Sequence, residues 1–389
     1  MKKIINFLFY IYTFLCLLLP AADLILSKKI VFAMLLAISI IFVFLQRDFK
    51  FNNCNIERFF LLFSILLEGA IFSLSDSNGN PIFLITSCLP FLLCIFLKDT
   101  VDGVKCIKIM GCILSLAVIL LAVLPIISKP LSIGANVLFL KLNSGFLGER
   151  TFGSIRLTMI HFRTSPILLI TFSLYFIDFC DKRKFKFFAF TGLTGAAILL
   201  SASRGLILFS FLSIYLICFF NINKKTYRKF FFLFTIAAAF ALSFLLASTN
   251  VFDTKEESNS VKIGHIESFN ELVNEQPSIL LFGQGTGSSY YSKGFNRVVW
   301  QTEATFFDIL RYWGIFGCIL FIFIIALPQK KISLKYIIPF LFYYINAFTN
   351  PLIFNSTGML VIAVYILLVS DKSSVKYIEK SNNKKSITL

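Results

Sequence analysis

Apolar runs of about 20 residues follow one another along almost the whole chain, and this feature limits the fold before any single residue is considered. Wound into a helix, such a run matches the roughly 30 Å hydrocarbon core of a bilayer. Inside lipid only helices and closed barrels satisfy their own backbone, and runs this long are helical rather than barrel strands. We read about twelve spans, at 4–22, 29–46, 59–75, 81–97, 104–127, 157–179, 187–202, 205–221, 230–248, 304–327, 335–350 and 352–369. The pair 187–202 and 205–221 reads as a tight helical hairpin turned at Ser203-Arg204-Gly205, and Pro351 separates the last two spans. Composition agrees: 57% of residues are hydrophobic and 49 are Phe, more apolar surface than a soluble chain can cover. The opening Met1-Lys2-Lys3 and its apolar run have the form of a signal peptide, with Ala21-Ala22 as cleavage site. The many equally long runs behind it favour an uncleaved first span instead.

The net charge of +17 would suggest nucleic acid in a soluble protein. Here its distribution matters more. With the N-terminus in the cytoplasm, about 24 cations fall on cytoplasmic segments and about 13 on the other side, as the positive-inside rule requires. The cytoplasmic groups are Arg47/Lys50/Arg58, Lys98/Lys105/Lys108, Lys182/Arg183/Lys184/Lys186, Lys224/Lys225/Arg228/Lys229 and Lys330/Lys331/Lys335, with both termini. The charge is thus mostly a topology signal, and no nucleic-acid partner is expected.

The expected architecture is all-α and polytopic, a single membrane domain over 1–370 with a disordered, cytoplasmic tail over 371–389. Two extracytoplasmic loops interrupt it, at 128–156 and 249–303. The larger is marginal for an independent core and holds none of the nine cysteines, so no disulfide framework is expected. The cysteines read as small packing residues, and no Cys/His spacing suggests a metal. Within the loop, HIESFNELV places Ile266, Phe269, Leu272 and Val273 on one face of a short amphipathic helix. No internal repeat is visible.

Chemistry-bearing residues gather on the expected outer side. Arg150 and Arg156 precede the sixth span; His161 and Arg163 lie in its first turns, with Pro166 as a kink. Arg204 sits in Ser-Ala-Ser-Arg-Gly, Lys293 and Arg297 precede the tenth span, and Arg311 lies within it. Arginine offers an always-charged planar fork suited to phosphate, so a ring of them at one face suggests a diphosphate headgroup. Bland readings stand beside this one. Arg150 and Arg156 fit interfacial anchors, Arg163 could pair with Glu68, and Asp308 with Arg311. Glu303, Phe307 and Arg311 share one helical face at this spacing, and Glu303 at the water boundary suits a base toward a hydroxyl. It equally suits a solvated residue favoured by the helix dipole. His265, one of only two histidines, is either a catalytic group or a loop residue without a role. Gly283-Gln284-Gly285-Thr286-Gly287 imitates a nucleotide loop, but no strand precedes it and it faces away from cytoplasmic ATP. A turn whose backbone approaches a ligand at Gly285, or that only returns the chain to the membrane, fits better.

Between about 145 and 320 the sequence resembles the O-antigen polymerase and ligase superfamily, bacterial membrane glycosyltransferases of the GT-C type. The likeness rests on Arg150-Thr-Phe-Gly153, Ser201-Ala-Ser-Arg-Gly205, Gly264-His265, Phe282-Gly-Gln-Gly-Thr-Gly287 and Glu303…Phe307-Asp-Ile-Leu-Arg-Tyr-Trp-Gly-Ile-Phe-Gly317. It implies an undecaprenyl diphosphate-linked oligosaccharide donor, inverting transfer to a sugar hydroxyl without metal or cofactor, and a place in the bacterial inner membrane. A flippase and a chain-length regulator are partners it implies. In this reading the arginines stabilise the leaving diphosphate and Glu303 orients or deprotonates the acceptor. Ligases of the superfamily usually have histidine near the position of Glu303, so the chain looks more like a Wzy-type polymerase of O-antigen or capsular repeats. Two alternatives stay open: a ligase acting on lipid A core or protein, and a flippase or other transporter for lipid-linked glycans.

Overall fold

In the computed structural model, residues 1–20, 27–46, 51–97, 100–142, 144–152, 155–221, 257–328 and 332–370 are described. The apolar runs form α1 (Lys2–Leu18), α2 (Lys28–Leu45), α3 (Asn53–Phe72), α4 (Pro81–Cys88) and α5 (Leu93–Phe96), the last two joined by a 3₁₀ turn at Leu89–Leu92. They continue as α6 (Gly103–Ile127), α8 (Ile167–Lys182), α9 (Phe185–Leu200) and α10 (Arg204–Asn221). Toward the C-terminus come α13 (Thr305–Ala326), α14 (Leu334–Phe348) and α15 (Ser356–Ser370). Four of these, α2, α6, α10 and α13, are long and apolar enough to cross a membrane, and the chain is an integral membrane protein. The expected span 230–248, the start of the expected large loop and the tail 371–389 lie outside the described residues.

Side chains explain where the helices start and how they pack. Ser27, Asn52, Asn80 and Asp102 accept from backbone N–H groups at the N-termini of α2, α3, α4 and α6. The last helix, α15, is apolar on every face, and Thr357 to Ser370 are all buried. A helix without a polar side belongs inside the bundle. Its few polar groups are accounted for: Thr357 donates to the Cys16 carbonyl at 2.7 Å and Tyr365 to the Ala326 carbonyl at 2.7 Å. Asp181 accepts two 2.8 Å bonds from Lys335, and Asp178 pairs with Lys108 and Lys182, so α6, α8 and α14 are tied together near one end.

Two corrections concern the expected all-α loops. The segment before the sixth span is a helix, α7 (Lys129–Lys141), followed by an antiparallel hairpin of β1 (Gly145–Phe152) and β2 (Ile155–Phe162). The hairpin runs from the pair Gly145↔Phe162 to Phe152↔Ile155. Asn136 of α7 accepts from Leu147 N at 3.0 Å, and Phe139 stacks edge-on with Phe162, ring centres 4.4 Å apart. The helix at the expected sixth span therefore begins at Ile167 rather than 157, with Pro166 as its N-cap and not a kink. Proline lacks the N–H that a helix start leaves unused anyway. His161 and Arg163 consequently stand on and just after a strand, outside the helix. A second small hairpin, β3 (Tyr290–Ser292) with β4 (Arg297–Val299), lies in the other loop between α12 (Ile279–Phe282) and α13. Before it runs α11 (Glu257–Glu275).

Candidate functional site

The helix α13 is broken near its middle. Gly314 has φ +62 and ψ −170, which interrupts the ladder and frees the carbonyls of Arg311 and Tyr312. In lipid, free carbonyls are costly unless protein meets them. The glycine loop after α12 does so: Gln284 N donates to the Arg311 carbonyl at 2.6 Å and Gly285 N to that of Tyr312 at 3.0 Å. Thr286 N donates to the Gly69 carbonyl of α3 at 2.8 Å, and Thr286 Oγ1 accepts from Trp313 Nε1 at 2.8 Å. The conformation demands glycine. Gly285 has φ +107, and a side chain there would meet the Gly69 carbonyl at 2.6 Å; one at Gly314 would run into Leu281 O. Gly285 is thus a packing residue whose N–H is engaged inside the protein. The loop is a plug in a broken helix, not a phosphate cradle.

Arg311 is also enclosed. It is 0% exposed and donates to the Ser288 carbonyl, to Ser288 Oγ at 2.9 Å, to the Trp300 carbonyl at 2.7 Å and to Asp308 at 3.3 Å. Its guanidinium lies 4.6 Å from the Tyr290 ring centre and 4.7 Å from that of Tyr312. Asp308 in turn accepts from Thr302 N at 2.7 Å and Thr302 Oγ1 at 3.0 Å. The pair neutralises itself and pins the loop 288–302 to α13. Because α13 begins at Thr305, Glu303 precedes it, which corrects the expected single face of Glu303, Phe307 and Arg311.

The cover formed by α11 and the β3–β4 hairpin encloses His265. Its ring is 0% exposed, shares a 2.6 Å hydrogen bond with Ser292 Oγ through Nδ1, and stacks edge-on with Phe295. Burial, with the nearby Lys262 charge, pushes its pKa down to about 4, so the imidazole is neutral near pH 7. The buried stripe of α11 is Gly264, His265, Ser268 and Phe269, while Ile266 of the expected apolar face is exposed. Phe269 rests on Phe307, ring centres 5.1 Å apart, which docks the cover on α13. Beneath the same loop, burial alone would raise the Asp76 carboxyl, but hydrogen bonds from Ser289, Asn78 and Gly79 hold it below the usual range.

Arg204 and Glu303 are placed differently. Arg204 is the first residue of α10, half-buried, after a turn in which Ala202 takes the left-handed φ +47 while fully buried. Ser201 fixes that turn, donating to the Ile198 carbonyl at 2.7 Å and accepting from Ser203 N at 3.4 Å. The guanidinium reaches across to α11, with Nη2 3.4 Å from Asn259 Oδ1. Gly205 abuts Asn346 near the end of α14. From that same end, the Asn350 carbonyl accepts from Thr305 Oγ1 at 2.7 Å. Glu303, half-buried, lies two residues before Thr305. The segment Asn346–Asn350 at the end of α14 thus meets Gly205, next to Arg204, and Thr305, two residues after Glu303.

The remaining candidates lie on or beside the two hairpins. Arg150 and Arg156 occupy β1 and β2; their side chains lie outside the described part. His161 packs on Phe146 with ring centres 5.0 Å apart, and Arg163 is exposed. No ion pair joins Arg163 to Glu68 among the described residues. β2 packs against α9, which leads into the Arg204 turn. Arg297 is exposed on β4 beside Phe295. Sequence reasoning passed over Asn259, Thr305, Asn346 and Asn350. The last two stand in the apolar run YYINAFTNP, where an amide is a signal in itself. Among the described residues, no three His, Cys, Asp or Glu side chains gather closely enough to hold a metal.

No family model matches the chain, and no solved structure does. One curated relative, an O-antigen polymerase of Shigella flexneri, is 29% identical over 223 residues, 53% of this chain and 51% of the relative. The chain spans about half the length of that relative. On its helices and on this match, the chain is an integral membrane protein similar to a bacterial O-antigen polymerase.

Proposed function

We propose that this protein polymerises polyprenyl diphosphate-linked oligosaccharide repeats on the outer face of the inner membrane. The observation that carries the reading is that Arg204 and Glu303, the two least enclosed of the central candidates, lie within two residues of Gly205 and Thr305, which both meet the segment Asn346–Asn350. In this reading the diphosphate of one lipid-linked glycan lies against Arg204, and the acceptor hydroxyl of a second approaches Glu303. The hydroxyl oxygen forms a new bond to the anomeric carbon as the bond from that carbon to the diphosphate breaks. The hydroxyl proton passes to the Glu303 carboxylate, and the lipid diphosphate leaves with the bonding pair. Arginine meets the charge growing on the leaving group, which is where electrostatic stabilisation is most effective. Inversion at the anomeric carbon follows from attack opposite the leaving group. Arg311, Gly285 and His265 would support this site by shaping the cover rather than by touching substrate.

A transporter would also profit from a broken helix. Against that, the carbonyls freed at Gly314 already accept from Gln284 N and Gly285 N, so the break is filled by the protein's own loop. The test is reconstitution: purified protein with the lipid-linked repeat, products sized on a gel. Ladders from the wild type, and single repeats from Arg204→Ala and Glu303→Gln, support the reading. Ladders from both variants sink the site assignment, and repeats moved across the membrane without lengthening sink the polymerase.

A further inference from the structure

Where α8 turns into α9 the chain reads Lys182-Arg183-Lys184-Phe185-Lys186, four cations in five residues between two apolar helices. α8 carries two carboxylates and α9 none, and both carboxylates are already engaged. Asp178 pairs with Lys108 and, at 2.6 Å, with Lys182, while Asp181 holds Lys335. Arg183, Lys184 and Lys186 are exposed, and among the described residues none of the three has a carboxylate partner. The ammonium groups nevertheless crowd together. Those of Lys182, Lys186 and Lys108 lie 4.8, 5.0 and 5.8 Å from the centre of one ring, that of Phe187. Like charges so gathered repel one another, and the single carboxylate among the three does not balance them. Beside them Phe185 is 79% exposed and Phe188 55%, ring centres 6.1 Å apart. Water alone disfavours those rings, and hydrocarbon alone disfavours those cations. The headgroup boundary of a bilayer suits both.

We propose that the α8–α9 turn binds an anionic phospholipid, its phosphate held by Lys182, Lys184 and Lys186 and its acyl chains lying along Phe185 and Phe188. The two parts of the lipid answer the two parts of the patch. The phosphate supplies the negative charge that α8 and α9 lack, and the chains cover the exposed rings. Phe187 keeps Lys182 and Lys186 close together through its ring, so that one phosphate can meet both. The site is separate from the residues of the proposed glycosyl transfer and does not depend on that activity. α9 runs from this turn to the turn before Arg204, so a lipid bound here fixes the depth of the helix in its leaflet.

The experiment uses the full-length protein in detergent, titrated with phosphatidylglycerol, zwitterionic phosphatidylcholine or inorganic phosphate, with bound lipid counted by native mass spectrometry. Wild type is expected to retain phosphatidylglycerol at least about tenfold better than phosphatidylcholine, and to lose that preference at high salt. Lys184→Gln with Lys186→Gln should weaken phosphatidylglycerol about 30-fold and leave phosphatidylcholine unchanged. Lys186→Arg, which keeps the charge, should retain the affinity. Lys129→Gln with Lys141→Gln removes the same charge from two exposed lysines beyond the far end of α6, and should change nothing. Equal retention of the two lipids by the wild type overturns the proposal, as does full affinity in the Lys184/Lys186 variant. An equal loss in the Lys129/Lys141 variant also overturns it, because net charge alone is then responsible. So does inorganic phosphate that displaces phosphatidylglycerol at equal concentration, the mark of a site for a soluble anion. If the double variant does not fold, Lys186→Gln alone decides, with about a fivefold loss expected.

Discussion

In this membrane protein α10 begins with an arginine and α13 carries one in its second turn, and the two have opposite surroundings. Arg311 is walled in by Asp308, Ser288, Trp300 and two tyrosine rings, so its charge is balanced and its direction fixed by the protein itself. Arg204 is half-buried, follows a turn with left-handed backbone at Ala202, and reaches the neutral amide of Asn259 at 3.4 Å. An enclosed charge holds the fold together, because removing one partner leaves the other stranded in low dielectric. A half-exposed charge keeps part of its field in the solvent, where something that arrives from outside can meet it. The difference separates an enclosed clamp from a charge that stays partly open, although sequence alone gives both the same appearance.

The contrast can be broken most forcefully at the clamp. Arg311→Ala strands Asp308 and frees the Ser288 and Trp300 carbonyls, and should cost about 3–5 kcal/mol, enough to deplete the protein from membranes on an immunoblot. Replacing both partners, Asp308→Asn with Arg311→Met, should recover much of the loss; no recovery means the pair is not the unit. Next in size is Gly314→Ala, where the left-handed backbone and the Leu281 carbonyl leave no room. We expect about 3 kcal/mol of destabilisation in detergent unfolding, and an unaffected midpoint would contradict the broken helix. Arg204→Ala reverses the pattern. Its unfolding midpoint should move by less than about 1 kcal/mol, while polymer formation in the reconstituted assay falls by about 100-fold or more. Should Arg204→Ala destabilise as strongly as Arg311→Ala, the contrast fails.

The smallest effect is a pH dependence. The folded state holds His265 near 4 against an ordinary 6.5, so between these values the unfolded chain binds the extra proton. Stability is then full above about pH 6.5 and falls as the pH drops toward about 4. His265→Gln should flatten that part of the unfolding profile measured between about pH 7 and pH 4.5. An unchanged profile would mean that the cover over α13 opens before the rest of the protein unfolds.

Much of the helical plan could be read directly. A run such as 104–127 becomes α6 because its only way to satisfy a backbone in lipid is to coil, and no distant partner is consulted. The hairpin before α8 was not readable in this way. Ile155–Phe162 is apolar enough to pass for the first turns of a span, and it is strand because β1 pairs with it and because Phe139 and Asn136 of α7 hold the pair. Within the candidate site, Arg204 stood out through its Ser-Ala-Ser-Arg-Gly turn. Asn346 did not, because its interest lies in touching Gly205, far away in the chain.

Sequence by itself determined that this chain lives in a bilayer, roughly where its helices run, and which residues carry charge into them. Those properties follow from local hydropathy and from the cost of an unsatisfied backbone in hydrocarbon. Only the tertiary structure decided which polar groups are enclosed and which remain accessible. Arg311 is closed off by Ser288 and Trp300, the glycine loop by a helix break and by Gly69, and His265 by Ser292 and Phe295. Each closure joins segments that are distant in sequence or brought together by a turn. A polar group's free energy depends on the partner it finally meets, and residue type alone does not name that partner.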